Sequence, residues 1–164
     1  MTVPDHGLIE SSATSAVEGY MEAFDARDVD AMLAFFADDA EMTVAPGTFR
    51  GKAGVRRVMD WDVHLSPTVK TRDTGVGLLV KGHTAVWERT IEATAEGIGY
   101  EYPIVTVFEL DDDGKIRRVR AYYDKLGIMQ KIASKYPGIR GRMFKTMVNY
   151  LVAQGEKGLD TSKE

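Results

Sequence analysis

Four side chains of this sequence are of types that could move a proton or hold a charged oxygen: Tyr20, His64, Arg89 and Glu101. Arg89 is the sharpest of them. It stands inside Trp87-Glu88-Arg89-Thr90-Ile91, a run with the composition of a strand. A buried arginine requires an anionic or carbonyl partner. Arg89 therefore either pairs with Glu101 of the following strand or holds a ligand oxygen, with Glu101 as the base. Tyr20 lies on the apolar stripe of the first helix. It is either a core tyrosine with a satisfied hydroxyl or a donor to a carbonyl or enolate. His64 follows Asp60 by one helical turn and is either a surface histidine or a general base at a pocket mouth. Asp60 and Asp62 flank Trp61, and at least one of them is expected in solvent. His83 lies beside a turn, and His6 lies in a loose terminus. The three histidines are scattered, so no metal is implied. There is no glycine-rich phosphate loop and no nucleophile elbow, and no cofactor is called for.

These side chains need a scaffold. The 164 residues suit one domain large enough for a core and a pocket. There is no cysteine, hence no disulfide framework. The net charge of −4 argues against nucleic acid as the partner. Residues 125–164 nevertheless hold 8 Lys or Arg against 3 Asp or Glu, which reads as a solvated helix face or self-association, with contact to an anionic membrane or ligand as the alternative. No apolar run is long enough to span a membrane and no secretory signal opens the chain, so a cytoplasmic location is the expectation.

Apolar residues spaced by three and four from Ile9 to Phe24 predict a first helix. Asp28 can cap a second, whose buried side holds Met32, Leu33, Phe35 and Phe36. Residues 41–45 read as a short strand, and 53–64 as a third helix stopped by Pro67. Four strands follow, over 68–81, 83–95, 99–110 and 115–123, with Asp111-Asp112-Asp113-Gly114 as a hairpin turn. Two helices, 126–134 and 139–154, are divided by Pro137-Gly138. Their stripe of Ile139, Met143, Met147 and Tyr150 reads as core or lid. Residues 1–8 and 155–164 are expected to be flexible ends of a domain spanning 9–154. The order describes an α+β fold: a curved antiparallel sheet with helices on one face enclosing a pocket. The outer sheet face is rich in apolar residues, which suggests a homodimer through it.

Particular segments look familiar. The stretch from Tyr20 to Ala40, with Phe24, Leu33, Phe36, Asp38 and Asp39, is similar to the opening of SnoaL-like proteins. Phe49-Arg50-Gly51-Lys52-Ala53-Gly54-Val55 resembles their entry to the third helix. Val107-Phe108-Glu109-Leu110 and Ala121-Tyr122-Tyr123-Asp124 resemble their last hairpin. The resemblance implies the cone fold shared with nuclear transport factor 2 and ketosteroid isomerase. It also implies a strand register in which Ala85, Trp87, Arg89 and Ile91 face the pocket. On the next strand Glu101, Pro103, Val105 and Val107 would do so, and on the last Val119, Ala121 and Tyr123. Phe24 and Trp61 complete the implied apolar walls.

Three chemistries of this superfamily can be laid on the sequence. Ketosteroid isomerases use a helix tyrosine, which Tyr20 matches, but their two acids fall on Val44 or Ala45 and on Val105. Limonene-epoxide hydrolases use an Asp-Arg-Asp set. Arg89 matches the arginine, while the aspartates fall on Ile91 and Ala121 and the water-holding pair near Met42 and Val44. Bile-acid dehydratases match at Tyr20, Asp25 and His64 but find Ile91 at their strand aspartate. The resemblance thus implies an apolar pocket for a steroid, terpenoid or polyketide type of molecule. The chemistry would be cofactor-free acid–base catalysis with Tyr20 as donor, Arg89 as oxyanion partner and Glu101 or His64 as base. The alternatives are a non-catalytic binder or a protein-interaction module, the latter disfavoured by an open apolar pocket of several hundred Å³.

Overall fold

A computed structural model describes residues 6–95, 97–135 and 138–156. The chain divides into two compact units, 1–123 and 124–164. The flexible ends expected at 1–8 and 155–164 fall mostly outside the described residues, and the first helix begins at His6.

In the first unit, α1 (His6–Asp25) and α2 (Val29–Ala34) precede a hairpin of β1 (Phe36–Val44) and β2 (Gly47–Arg50). Helix α3 (Gly51–Leu65) leads into β3 (Thr68–Lys81), β4 (Thr84–Ala95), β5 (Ile98–Leu110) and β6 (Ile116–Tyr123). The sheet order is β2-β1-β6-β5-β4-β3, all antiparallel except β1 beside β6. The six strands form a curved, unclosed sheet with helices on one side, an α+β cone. Three elements differ from the sequence reading. Phe36 opens β1 instead of closing α2, because α2 ends at Ala34 with Phe35 as its C-cap. Strand β1 starts five residues earlier than expected, with Asp38 and Asp39 exposed on it. The turn at Pro46-Gly47 continues into β2, which was not expected.

Local chemistry explains the joints. Asp28 caps α2 by accepting the Ala31 N–H at 3.0 Å. Arg27, just before it, takes a left-handed backbone (φ 59°) usually left to glycine. Strand β3 is interrupted between Asp73 and Leu78, where Gly75 and Gly77 adopt positive φ. Such a bulge bends and twists an antiparallel sheet. Asp25, at the end of α1, accepts the Thr71 hydroxyl at 2.8 Å and fixes the helix to β3.

Opposed residues of an antiparallel pair share a face. Arg89 opposes Ile104, which opposes Tyr123 in turn. The inner face of β5 is therefore Tyr102, Ile104, Thr106 and Phe108, and Glu101, Pro103, Val105 and Val107 face outward. The implied register is corrected by one residue on β5 and agrees on β4 and β6. The outer face is less apolar than expected. Arg72 reaches Glu92 at 3.3 Å and Glu101 at 3.5 Å, and Arg118 and Arg120 lie 3.0 and 2.6 Å from Glu109. Val105 and Tyr122 lie exposed among these ions.

The core fills the concave side. Val17, Tyr20 and Met21 from α1, Met32 from α2, Phe36 from β1 and Val55, Val58 and Met59 from α3 meet Ala85, Phe108 and Val119 of the sheet. The Tyr20 ring lies edge-on to Phe36 and Phe108, with centroids 5.4 and 5.8 Å away.

The second unit consists of α4 (Lys125–Lys135) and α5 (Gly138–Glu156). Asp124 accepts the Gly127 N–H at the start of α4. On α5, Val148 is buried, whereas Ile139, Met143, Met147 and Tyr150, expected as core or lid, are exposed.

Phe108 has no exposed surface and braces Tyr20. Phe108→Ala should cost about 3–5 kcal/mol, the usual loss for a buried phenylalanine. Urea unfolding of the two proteins measures it, and a loss below about 1 kcal/mol would mean that the ring is not central to the core.

Candidate functional site

Between the helices and the sheet of the first unit lies a cavity of about 100 Å³. It is smaller than the several hundred Å³ that would count against a protein-interaction module. Its lining comes from α1 (Tyr20, Met21, Phe24), α2 (Met32), β1 (Met42, Val44), α3 (Val58, Met59, Trp61, Asp62) and β4–β6. The sheet contributes Arg89 and Ile91, then Tyr102, Ile104 and Thr106, then Val119, Ala121 and Tyr123.

Arg89 is 3% exposed. Its Nη2 donates to the Thr106 hydroxyl at 3.2 Å, and its Nη1 lies 2.6 Å from the Met21 sulfur. A thioether is a weak acceptor. The buried Nε has no partner among the described residues. The guanidinium stands over the Trp87 ring, 4.9 Å from its centroid. Trp87 in turn donates its indole N–H to Asp73 at 2.7 Å. Glu101, the expected partner, sits on the opposite face of the sheet, so the Arg89–Glu101 pair does not form. Burial lowers the Arg89 pKa, and the nearby Tyr20 and the carboxylates of Asp25 and Asp73 partly offset this. The site holds a cation at a desolvation cost, with no carboxylate ion-paired to it among the described residues.

Tyr20 lines the same cavity. Burial pushes its pKa far up, against the pull of Arg89, so at neutral pH it is an O–H donor. Tyr102 behaves likewise through burial. Tyr123 is also raised by burial, moderated by a hydrogen bond from the Ala45 N–H. Tyr100, Tyr102 and Tyr123 form a ladder, with centroid spacings of 5.9 and 5.3 Å.

Asp62 is the lone carboxylate among the residues lining the cavity. Arg27 donates to it at 2.8 Å, and the Arg27 guanidinium also lies 5.0 Å from the Phe24 ring. The Asp62 charge reaches Tyr20, Tyr102 and Tyr123.

The structure therefore brings together Tyr20, Phe24, Trp61, Arg89, Ala121 and Tyr123, and it does not bring in the rest. Trp87 shares the inner face but backs Arg89 instead of lining the cavity. Val105 points outward because of the corrected register. His64 is exposed. The inward side of α3 repeats Val55, Val58, Met59 and Asp62, and His64 falls off that stripe. The same three-and-four spacing was the signal that could have picked Asp62 over Asp60 and His64. Tyr102 and Thr106 were missed together with the β5 register. Ile91, Ala121, Met42 and Val44, where the resemblance would put the epoxide-hydrolase acids and water holders, all line the cavity as apolar residues.

The model of the SnoaL-like domain family matches residues 17–119. The chain belongs to that family. Similar solved structures agree in fold. An LEH-like epoxide hydrolase of M. tuberculosis is 21% identical, with a TM-score of 0.64 over 76% of this chain and 92% of the other. A polyketide cyclase candidate from Xanthomonas campestris pv. campestris is 26% identical, with a TM-score of 0.63 over 74% and 98%. TerC, co-crystallised with polyporic acid, is 19% identical, with a TM-score of 0.65 over 74% and 98%. No curated protein matches the chain. No helix of the described residues is long and apolar enough to cross a membrane.

Two outcomes follow from the site's electrostatics. A cation buried without a carboxylate opposes folding. Arg89→Met should leave stability unchanged or raise it by about 1–3 kcal/mol in chemical unfolding, and a comparable loss would mean that Arg89 is structural. The tyrosines act at high pH. Unfolded tyrosine ionises near pH 10, whereas Tyr20 and Tyr102 hold their protons well above it. The unfolded state then binds fewer protons than the folded one, so stability is complete below about pH 10 and falls as pH rises further. Unfolding at pH 9 and 11, with tyrosinate absorbance, would reveal a flat profile if these hydroxyls were solvated.

Proposed function

We propose that this protein binds a small, mainly apolar molecule by an oxygen-bearing group and performs acid–base chemistry on it without a cofactor. The reaction would be of isomerase, dehydratase or cyclase type. The observation that carries this reading is one apolar cavity lined by both Arg89 and Tyr20. Two donors in a dry site stabilise charge that develops on an oxygen far better than they would in water. The proton acceptor in this reading is Asp62, the carboxylate lining the cavity, oriented by Arg27. The family and its epoxide-hydrolase and polyketide-cyclase neighbours support chemistry of this class. The volume favours a single-ring or short-chain molecule over a steroid, although Met21, Met32, Met42 and Met59 form a lining that repacks easily.

The rival reading, a binder that does no chemistry, draws on the ion pair between Asp62 and Arg27, which engages the only carboxylate among the lining residues. The outer sheet face, with Val105 and Tyr122 exposed, is the surface we assign to a homodimer. Sedimentation showing a monomer at high concentration would remove that assignment.

A thermal-shift screen with cyclic enones, terpenoid epoxides and polyketide aromatics tests the binding. A ligand at 100 times its Kd adds about 2.7 kcal/mol to stability. Tyr20→Phe and Arg89→Ala should both shrink the shift. With a ligand in hand, Asp62→Asn should keep the shift and lower turnover by about 10²- to 10⁴-fold, the range of a lost general base. Unchanged turnover in Asp62→Asn would discard Asp62 as the base, and a ligand that is never turned over would favour the binder.

A further inference from the structure

One charge lining the cavity has no carboxylate in contact with it, and that names a ligand class. The charged side chains of the lining are Arg89 and Asp62. Asp62 already has its counter-ion in Arg27, 2.8 Å away with a side chain only 9% exposed. That leaves one positive charge, on Arg89, without a counter-ion inside the cavity. Its other neighbours supply little. The Thr106 hydroxyl is a neutral acceptor, the Met21 thioether is a weak one, and the Nε hydrogen has no acceptor among the described residues. The carboxylates of Asp25 and Asp73 act on it only from beyond ion-pair distance, Asp25 while accepting the Thr71 hydroxyl and Asp73 the Trp87 indole N–H. Tyr20 and Tyr102, which also act on Arg89, are neutral donors.

A guanidinium has five N–H donors in a planar fork that fits a carboxylate by two parallel hydrogen bonds. A neutral carbonyl would satisfy one of those donors and leave the charge unpaired. A carboxylate would satisfy two and cancel the charge. We propose that the ligand of this cavity is a small apolar carboxylate, its two oxygens on the Arg89 fork and its hydrocarbon part among Phe24, Ile91, Ile104 and Val119. The inference rests on the pocket reading above and adds the charge of what enters. Size agrees with it. A dry cavity of about 150 Å³ admits benzene. The present 100 Å³, with methionine walls that yield, suits one ring or a short branched chain bearing the acid.

The test uses benzoate, its neutral counterpart benzamide, and toluene as an apolar probe. Calorimetry or ligand-observed NMR at neutral pH reads their affinities for the full chain. Benzoate should bind wild type about tenfold or more tightly than benzamide. Arg89→Met should erase that preference while keeping toluene binding, and Arg89→Lys, which keeps the charge but loses the fork, should retain part of it. Benzamide binding as tightly as benzoate overturns the proposal and leaves the pocket reading in place. A benzoate preference that persists in Arg89→Met overturns it too, because the anion would then sit elsewhere. If none of the three probes binds, both the proposal and the pocket reading fall. The wild-type comparison stands alone should either variant fold poorly.

Discussion

A sheet that carries a bare cation on its inner face has to be closed over it, and that demand organises the first unit. Arg89 sits near the middle of β4, with neighbouring strands on both sides. Water cannot solvate it once α1, α2 and α3 cover the concave face. What tolerates it is a set of partial compensations: the Trp87 ring beneath, the Thr106 hydroxyl beside, and the Met21 sulfur above. None of these is a full counter-charge. A protein selected for stability alone would have a hydrocarbon here. An arginine in this place therefore stands at a cost in stability.

The helices are placed by the same face. Tyr20 on α1 has its ring locked edge-on between Phe36 and Phe108. The packing that holds the helix down therefore also fixes the donor beside Arg89. Arg27 extends this logic to the mouth. Its left-handed backbone is unfavourable for a residue with a side chain. It lets the chain turn sharply from α1 into α2 and sets a guanidinium against Asp62 on α3. One residue thus joins two helices and orients the carboxylate at the cavity.

Much of the fold was legible because its elements carry strong local signals. The three-and-four spacing of α1, the Asp28 cap and the Asp-Asp-Asp-Gly turn between β5 and β6 each have one physical solution. The site was legible where a single face had to be chosen by one unusual residue, as with Arg89 on β4. It was not legible on β5, where both alternating sets are largely apolar. Ile104, Thr106 and Phe108 compete with Pro103, Val105 and Val107, and a slip of one inverts the strand. The charged ends of the outward set, Glu101 and Glu109, were the available signal, and the resemblance to relatives outweighed it. That slip pairs Glu101 with Arg89, whereas Glu101 belongs to an ion pair with Arg72 on the far side of the sheet.

That slip matters beyond bookkeeping of faces. With Glu101 inside, Arg89 would be a neutralised structural pair and the cavity a neutral one. With Glu101 outside, the same arginine has no ion-paired carboxylate among the described residues. At the other positions where the resemblance would put acids or water holders, this chain has Ile91, Ala121, Met42 and Val44, and every one of them reaches the cavity wall. Apart from Arg89, Asp62, Thr106 and the tyrosines, the lining is apolar. Of the polar side chains in the lining, Arg89 and the tyrosines can donate, and Asp62 is the one carboxylate that can accept a proton.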